Sequence, residues 1–215
     1  MPTKESQIFS VDPGFPEHDI IDKAATLIKK GGIIVFPTST FYGLGTMALK
    51  SEAVSRIFQL KRRDPGKPVL ILIASMAELA ELVQCVPAEA TQLIEAFWPG
   101  KVTIVFGAGR ILSKNLTGDT GKIGIRLAAH PVASALVRAV GSPVTATSAN
   151  VAGRGGCIEA GKLDQEIRQG VSLVLDAGRL GGGGGSTVVD VTVSPPKILR
   201  EGIIGAEKIE SLFRR

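Results

Sequence analysis

Four clusters of hydroxyls, amides and cations follow apolar runs in this sequence, the place where open α/β sheets tend to carry their sites. The first is Pro37-Thr38-Ser39-Thr40-Phe41-Tyr42-Gly43-Leu44-Gly45. Its hydroxyls and exposed N–H groups could hold a small polar ligand, or it could be an ordinary strand connection. The second, Lys61-Arg62-Arg63-Asp64-Pro65-Gly66-Lys67-Pro68, places four cations within seven residues. Cations after a helix complement its macrodipole, which makes a solvated cap one reading. Polyphosphate binding is the other, with lysine as point charge and arginine as fork. The third is Thr145-Ala146-Thr147-Ser148-Ala149-Asn150, whose hydroxyls and amide can donate to phosphate or carboxylate oxygens. The fourth joins Ser186-Thr187, Asp190 and Arg200-Glu201-Gly202.

Other chemistries are poorly represented. No GxxxxGK[ST] occurs, which speaks against a P-loop NTPase. His18 and His130 are isolated and read as surface residues, so neither a histidine triad nor a zinc site is expected. Cys85 and Cys157 form no CxxC pair and lack a context that would lower their pKa values. Trp98 reads as a core residue. Positioning and charge stabilisation, the tools of phosphoryl and nucleotidyl transfer, remain.

The elements that must position these groups alternate. Ile20, Ile21, Ala24, Leu27 and Ile28 predict a helix that stops at Gly31-Gly32, and Ile33 to Phe36 a buried strand. Helices are predicted over 51–60, 76–83, 87–97, 131–140 and 160–169, with another from about Ala206. Strands are predicted over 69–73, 102–106, 123–127, 143–146, 171–175, 187–191 and 197–199. Continuous apolar runs fit strands buried on both faces, and the alternation makes an α/β domain. No internal repeat or linker divides the 215 residues, so one domain over 1–215 is expected.

Glycine and proline contribute 38 residues, an excess that excludes a helix bundle and implies tight turns or close approach of backbone to ligand. Gly181 to Gly185 is the one low-complexity tract, either a floppy loop or a lid over a ligand. The net charge is +5, all of it from residues 108–215, where 14 cations face 9 carboxylates. That balance suits an anionic ligand or RNA. The amino end lacks a signal-peptide layout and no run reaches a membrane span, so a cytoplasmic protein without membrane contact is expected.

In this order the segments GGIIVFPTSTFYGLG, KRR with KP after it, FWPGKVTIVF, IGIRL, PVTATSAN, STVVD and ILREG resemble the YrdC-type threonylcarbamoyl-AMP synthases, from about residue 20 to 205. The resemblance implies an open twisted mixed sheet with flanking helices around a large concave, basic cavity. It implies a nucleotidyltransferase that joins L-threonine, bicarbonate and ATP into threonylcarbamoyl-AMP and pyrophosphate. The product would feed tRNA threonylcarbamoyladenosine modification through downstream tRNA threonylcarbamoyl transferase proteins. By motif position, Lys61 and Arg63 are the catalytic pair, and Lys61, Arg63, Lys67, Ser148, Asn150 and Arg200 hold ATP. Thr40, Arg126, Ala146 and Thr187 hold threonine. The cofactor implied is Mg²⁺ carried on ATP phosphates, with no metal ligands from the protein. At Ser39, Leu72, Lys101-Val102, Lys122 and Gly156 the sequence departs from the family pattern. A paralogue with a different amine substrate is therefore one alternative. A non-catalytic RNA-binding or ribosome-associated module, with tRNA or double-stranded RNA as partner, is another.

Overall fold

The computed structural model describes residues 6–214. In chain order the first half comprises β1 (Gln7–Ser10), α1 (His18–Lys29), β2 (Ile34–Pro37), β3 (Tyr42–Gly45), α2 (Ser51–Lys61) and β4 (Ile71–Ile73), followed by α3 (Met76–Leu82), α4 (Ala88–Phe97) and β5 (Val102–Gly107). The second half comprises α5 (Lys114–Thr117), β6 (Lys122–Leu127), α6 (Pro131–Val140), β7 (Val144–Thr145) and β8 (Thr147–Ser148), then α7 (Gln165–Gly170), β9 (Leu173–Asp176), β10 (Thr187–Asp190), β11 (Lys197–Arg200) and α8 (Ala206–Glu210).

The strands form two mixed sheets. One has the order β1-β9-β2-β3-β8 and the other β11-β10-β5-β6-β4-β7. Their separation refines one reading of the sequence: the strand predicted over 143–146 is the shorter Val144–Thr145, and a second strand follows at once in the other sheet. Val144–Thr145 pairs with β4 in the second sheet, and Thr147–Ser148 pairs with β3 in the first. Ala146, between them, donates its N–H to Leu70 O at 2.9 Å. The chain changes sheets there, and the third polar cluster lies at the crossing.

Burial on both faces accounts for the unbroken apolar runs. In β2, Ile34 and Phe36 pack with α1 and α6, while Val35 packs on the opposite side with residues of α2 and α7. In β4, Ile71 and Ile73 join the core that holds residues of α3 and α4, and Leu72 points the other way. Leu72 is 1% exposed, so this departure from the family pattern is a core residue. Pro131 starts α6 and Gly141 ends it in the left-handed region, as the sequence suggests.

Three strands were not predicted: β8, just past the predicted 143–146, and β1 and β3. β1 is four mostly exposed residues at a sheet edge, too short for a visible alternation. β3 is Tyr-Gly-Leu-Gly, which reads as a loop, yet every residue is buried and it pairs antiparallel with β2. Gly45 is required there, because a Cβ would stand 2.3 Å from Thr145 O of the second sheet.

Candidate active site

The second sheet builds one wall by simple alternation. Val102, Ile104, Phe106, Ile123, Ile125 and Val189 point into the core. Their neighbours Thr103, Val105, Lys122, Gly124, Arg126 and Val188 point into a cleft of about 600 Å³. A Cβ at Gly124 would approach the Thr103 methyl to 3.1 Å, so glycine keeps this wall open. The opposite side comes from the β2–β3 connection, residues Ala146 to Ser148, and Gly156.

Four cations line the cleft: Arg63, Lys122, Arg126 and Arg200. No carboxylate lines it among the described residues. Arg126 is the most telling. It makes no hydrogen bond or ion pair among the described residues, and burial, then the charge of Arg200, brings its pKa down to about 10. A half-buried guanidinium beside another cation is repelled by it, and an anion in the cleft would offset that repulsion. Arg200 is fixed from behind: its Nε and Nη2 donate to Ser186 O at 3.2 and 2.7 Å. Ser186 Oγ in turn lies 2.9 Å from Thr103 Oγ1. Lys122 is held at 2.8 Å by Asp190, whose carboxylate also accepts from the Thr192 hydroxyl at 2.6 Å. Its position reflects the register that places β6 and β10 on either side of β5.

The Lys61-Arg62-Arg63 run is sorted by one backbone turn. Arg62 ends α2 in the left-handed region at φ 51°. This reverses the chain, so Arg62 faces out to Glu166 at 2.8 Å while Arg63 turns into the cleft. Arg63 Nη2 donates to Pro68 O at 2.8 Å, and burial lowers its pKa. Lys61, on the last turn of the helix, is 2% exposed.

The structure therefore brings Thr40, Arg63, Arg126, Ala146, Ser148 and Arg200 to one cleft. Four expected residues do not line it. Lys61 sits behind the wall with its ammonium on Asn150 O at 2.5 Å and on the carbonyl of Ser148. Asn150 is buried and borders a smaller pocket. Lys67 is exposed on the surface. Thr187 is fully buried, its hydroxyl donating to Ile204 O at 2.6 Å and accepting from the N–H groups of Gly202 and Ile204. It shapes the wall from behind. Lys122 lines the cleft; from sequence it is a departure from the family pattern that suits a nucleotide site, and its two-residue step from Gly124 and Arg126 is the signal that places it. Ser39 is exposed and does not line the cleft.

Supporting residues explain other motifs. Tyr42 is a clip: its hydroxyl lies 2.7 Å from Gly178 O and 3.0 Å from Asp176 Oδ1, and accepts from Ala177 N–H. Burial, then the Asp176 carboxylate, pushes its pKa up. His130 caps α6 by accepting from Val132 N–H at 3.3 Å, a structural use missed in the sequence. Trp98 packs against the core and donates to Val102 O at 2.9 Å. The glycine tract is tied at both ends: Gly182 N–H donates to Thr40 O at 2.9 Å, and Gly185 O accepts from Ile203 N–H at 3.0 Å. No group of three or more His, Cys, Asp or Glu side chains that could hold a metal occurs among the described residues.

Two mixed sheets with flanking helices, beside a cleft lined by four cations and by no carboxylate among the described residues, define a mixed α/β protein. The model of the Sua5/YciO/YrdC family, described as telomere recombination, matches residues 26–202, and the chain belongs to that family. It is 36% identical over 190 residues to the threonylcarbamoyl-AMP synthase of Pyrococcus abyssi, covering 88% of this chain and 56% of the relative. It is 34% identical over 194 residues to that of Bacillus subtilis, covering 90% and 56%. The chain thus spans about half the length of these two relatives. Against the synthase of Xanthomonas campestris it is 32% identical over 169 residues, covering 78% and 90%. Its structure matches that of P. abyssi Sua5 complexed with L-threonine at a TM-score of 0.92 and 35% identity, over 96% of this chain and 61% of the other. It matches E. coli YciO at 0.83 and 28% identity, over 95% and 98%.

Proposed function

We propose that this chain is an L-threonylcarbamoyladenylate synthase that joins L-threonine, bicarbonate and ATP. The observation that carries the reading is the Arg126 guanidinium, half-buried and without a protein partner among the described residues, in a cleft lined by three further cations and by no described carboxylate. The relatives named as threonylcarbamoyl-AMP synthases, and the relative whose structure holds L-threonine, support it.

In this reading Arg126 takes the threonine carboxylate, with Thr40 and Ala146 beside it. Threonine's amine and bicarbonate give an N-carboxy-threonine with loss of water. Its new carboxylate attacks the α-phosphorus of ATP, and the bond to the β-phosphate oxygen breaks to release pyrophosphate. A carboxylate is already a nucleophile, so the attack on ATP needs no general base, and the proton lost from threonine's ammonium as the carbamate forms goes to solvent. Arg63 and Arg200, with Lys122 near them, offset charge on the α-phosphate and the departing pyrophosphate. The protein offers no carboxylate at the cleft for a metal; Mg²⁺ would arrive on ATP phosphate oxygens and supply further charge neutralisation. The product would pass to tRNA-modifying transferases, and a cytoplasmic site of action goes with that role. No described helix is long and apolar enough to cross a membrane.

Pyrophosphate release in the presence of ATP, Mg²⁺ and bicarbonate tests the reading. It is expected only when L-threonine is added. Release with L-serine or another amine in place of threonine would assign a divergent paralogue. No release with any amine, together with RNA binding that weakens steeply with salt, would favour the RNA-binding module.

A further inference from the structure

The edge strand β11 of the second sheet carries an irregularity beside the cleft. Val188 stands opposite Arg200, but Val189 stands opposite Ile198, so one extra residue, Leu199, is inserted in β11 at that point. Regular alternation would turn Leu199 and Arg200 to opposite faces of the sheet. The bulge lets both face the cleft, while Ile198 packs against the core. An exposed leucine is ordinary in itself. This one is 52% exposed on the cleft wall, and a departure from strand geometry aims it there.

Its surroundings are apolar along one line. Val188 on β10 and Val105 on β5 face the cleft from the same sheet, and beside Val105 the register places Gly124, which has no side chain. Leu199, Val188 and Val105 thus make a shelf without hydrogen-bonding side-chain groups. Arg200 stands at its end, held from behind by the Ser186 carbonyl. Gly185, next to the guanidinium, leaves room there, since a Cβ would stand 3.3 Å from Nη2. The cations of the cleft answer the charged parts of the proposed substrates, the amino-acid carboxylate and the phosphates. The nucleobase is uncharged, flat and apolar on its faces, and the shelf adjoins one of the cations assigned above to the phosphate chain.

We propose that Leu199 is a further nucleotide-binding residue: with Val188 and Val105 it seats one face of the nucleobase, while Arg200, its neighbour in the bulge, meets the phosphate chain. This rests on the adenylate-forming activity proposed above and adds to it the surface that holds the base. Contact of this kind acts through the area of the ring face and not through the ring edge. Purines of different edge chemistry are therefore held alike at this point. Because the apolar and the cationic contact come from consecutive residues, the bulge also fixes the offset between base and phosphates.

Titration calorimetry of the wild type and Leu199→Ala with ATP, GTP and inorganic tripolyphosphate, each with Mg²⁺ and without an amino acid, tests the proposal. Leu199 is half exposed in the free protein, so Tm is expected to change by less than about 2 °C. Leu199→Ala should weaken ATP and GTP by about five- to tenfold each, the effect of taking most of a leucine side chain out of a covered contact. Tripolyphosphate binding should stay within about twofold, because Arg200 is untouched. Leu199→Met, which keeps the apolar reach, should bind ATP within about threefold of the wild type. In turnover, Leu199→Ala should raise the KM for ATP and leave that for L-threonine unchanged. Leu199→Thr, which suits a strand, takes the place of Leu199→Ala if that variant does not fold, with the same expectations. Equal weakening of tripolyphosphate would mean that Leu199 acts only by holding Arg200. Unchanged ATP binding, with the loss found in Phe41→Leu instead, would put the base on the opposite wall. A loss for ATP and not for GTP would mean that the base is read at its edge. Each of these overturns the proposal, as does a wild type that binds ATP no more tightly than tripolyphosphate. Absence of pyrophosphate release in the wild type would count against the activity, and the binding comparison would still decide the shelf.

Discussion

Arg126 carries the largest electrostatic consequence of any single residue in the cleft. Burial and the charge of Arg200 disfavour its charged form, and no group among the described residues pairs with it. Arg126→Met is therefore expected to raise the KM for L-threonine by about 100-fold, since a part-buried ion pair between arginine and a carboxylate is worth a few kcal/mol. The same variant should raise Tm by about 2–4 °C, because an unpaired charge is replaced by an apolar side chain. Substrate titration and thermal melting of one variant check both signs. Gly156 offers a second test. Its Cα lies under the Phe41 ring, where a Cβ would approach ring carbons to 2.6 Å. Gly156→Ser should lower kcat/KM by about tenfold by displacing that ring into the cleft, and Phe41→Val in the same chain should restore most of the loss. Comparison of the single and double variants decides this. At this scale the sequence was legible in residue type and ambiguous in direction. Lys61, Arg62 and Arg63 are consecutive cations, yet one is buried against carbonyls, one pairs with Glu166 in solvent and one faces the cleft. A single left-handed residue makes that difference, and nothing in the composition of KRR announces it.

At the scale of elements, the wall of the cleft depends on how two backbone segments meet. Gly202 packs against the end of the glycine tract, where a Cβ would stand 2.1 Å from Gly185 O and 2.7 Å from Thr187 N. Gly202→Ala must push these segments apart, and Arg200 with them. It is expected to destabilise the protein by about 2–4 kcal/mol and to weaken ATP binding. Urea unfolding and nucleotide titration measure the two effects. The tract is pinned at Gly182 and Gly185, and its last residue, Gly185, lines the cleft. Strands of the second sheet were readable where both their faces are buried, which leaves largely apolar runs at β4 and β5. β3 was not readable, since Tyr42 and Leu44 alternate with two glycines whose burial comes from neighbours distant in sequence. The helix predicted over 160–169 is a 3₁₀ turn at Ala160–Lys162 followed by α7, with Leu163 and Asp164 extended between them. Asp164 leaves the helix to bind Val151 N–H and Arg154, long-range partners that local periodicity does not encode.

For the whole molecule, the excess of positive charge in residues 108–215 acquires a location. Lys122, Arg126 and Arg200 come from that half and converge with Arg63 on one cleft. The convergence needs two sheets, with the chain crossing between them at Ala146, and the sequence alone pointed to alternating elements without specifying that division. The glycine excess likewise resolves into a few contacts where backbone meets backbone or ring, at Gly45, Gly156 and Gly202. The central claim is that this cleft couples threonine, bicarbonate and ATP into one adenylate. Supplying ¹³C-bicarbonate with ATP, Mg²⁺ and L-threonine and following the label by mass spectrometry tests it most directly. The account predicts a threonine- and AMP-containing product that carries one ¹³C, formed together with pyrophosphate and absent without threonine. Pyrophosphate without label in any adenylate, or a labelled product that forms equally well without threonine, would contradict it.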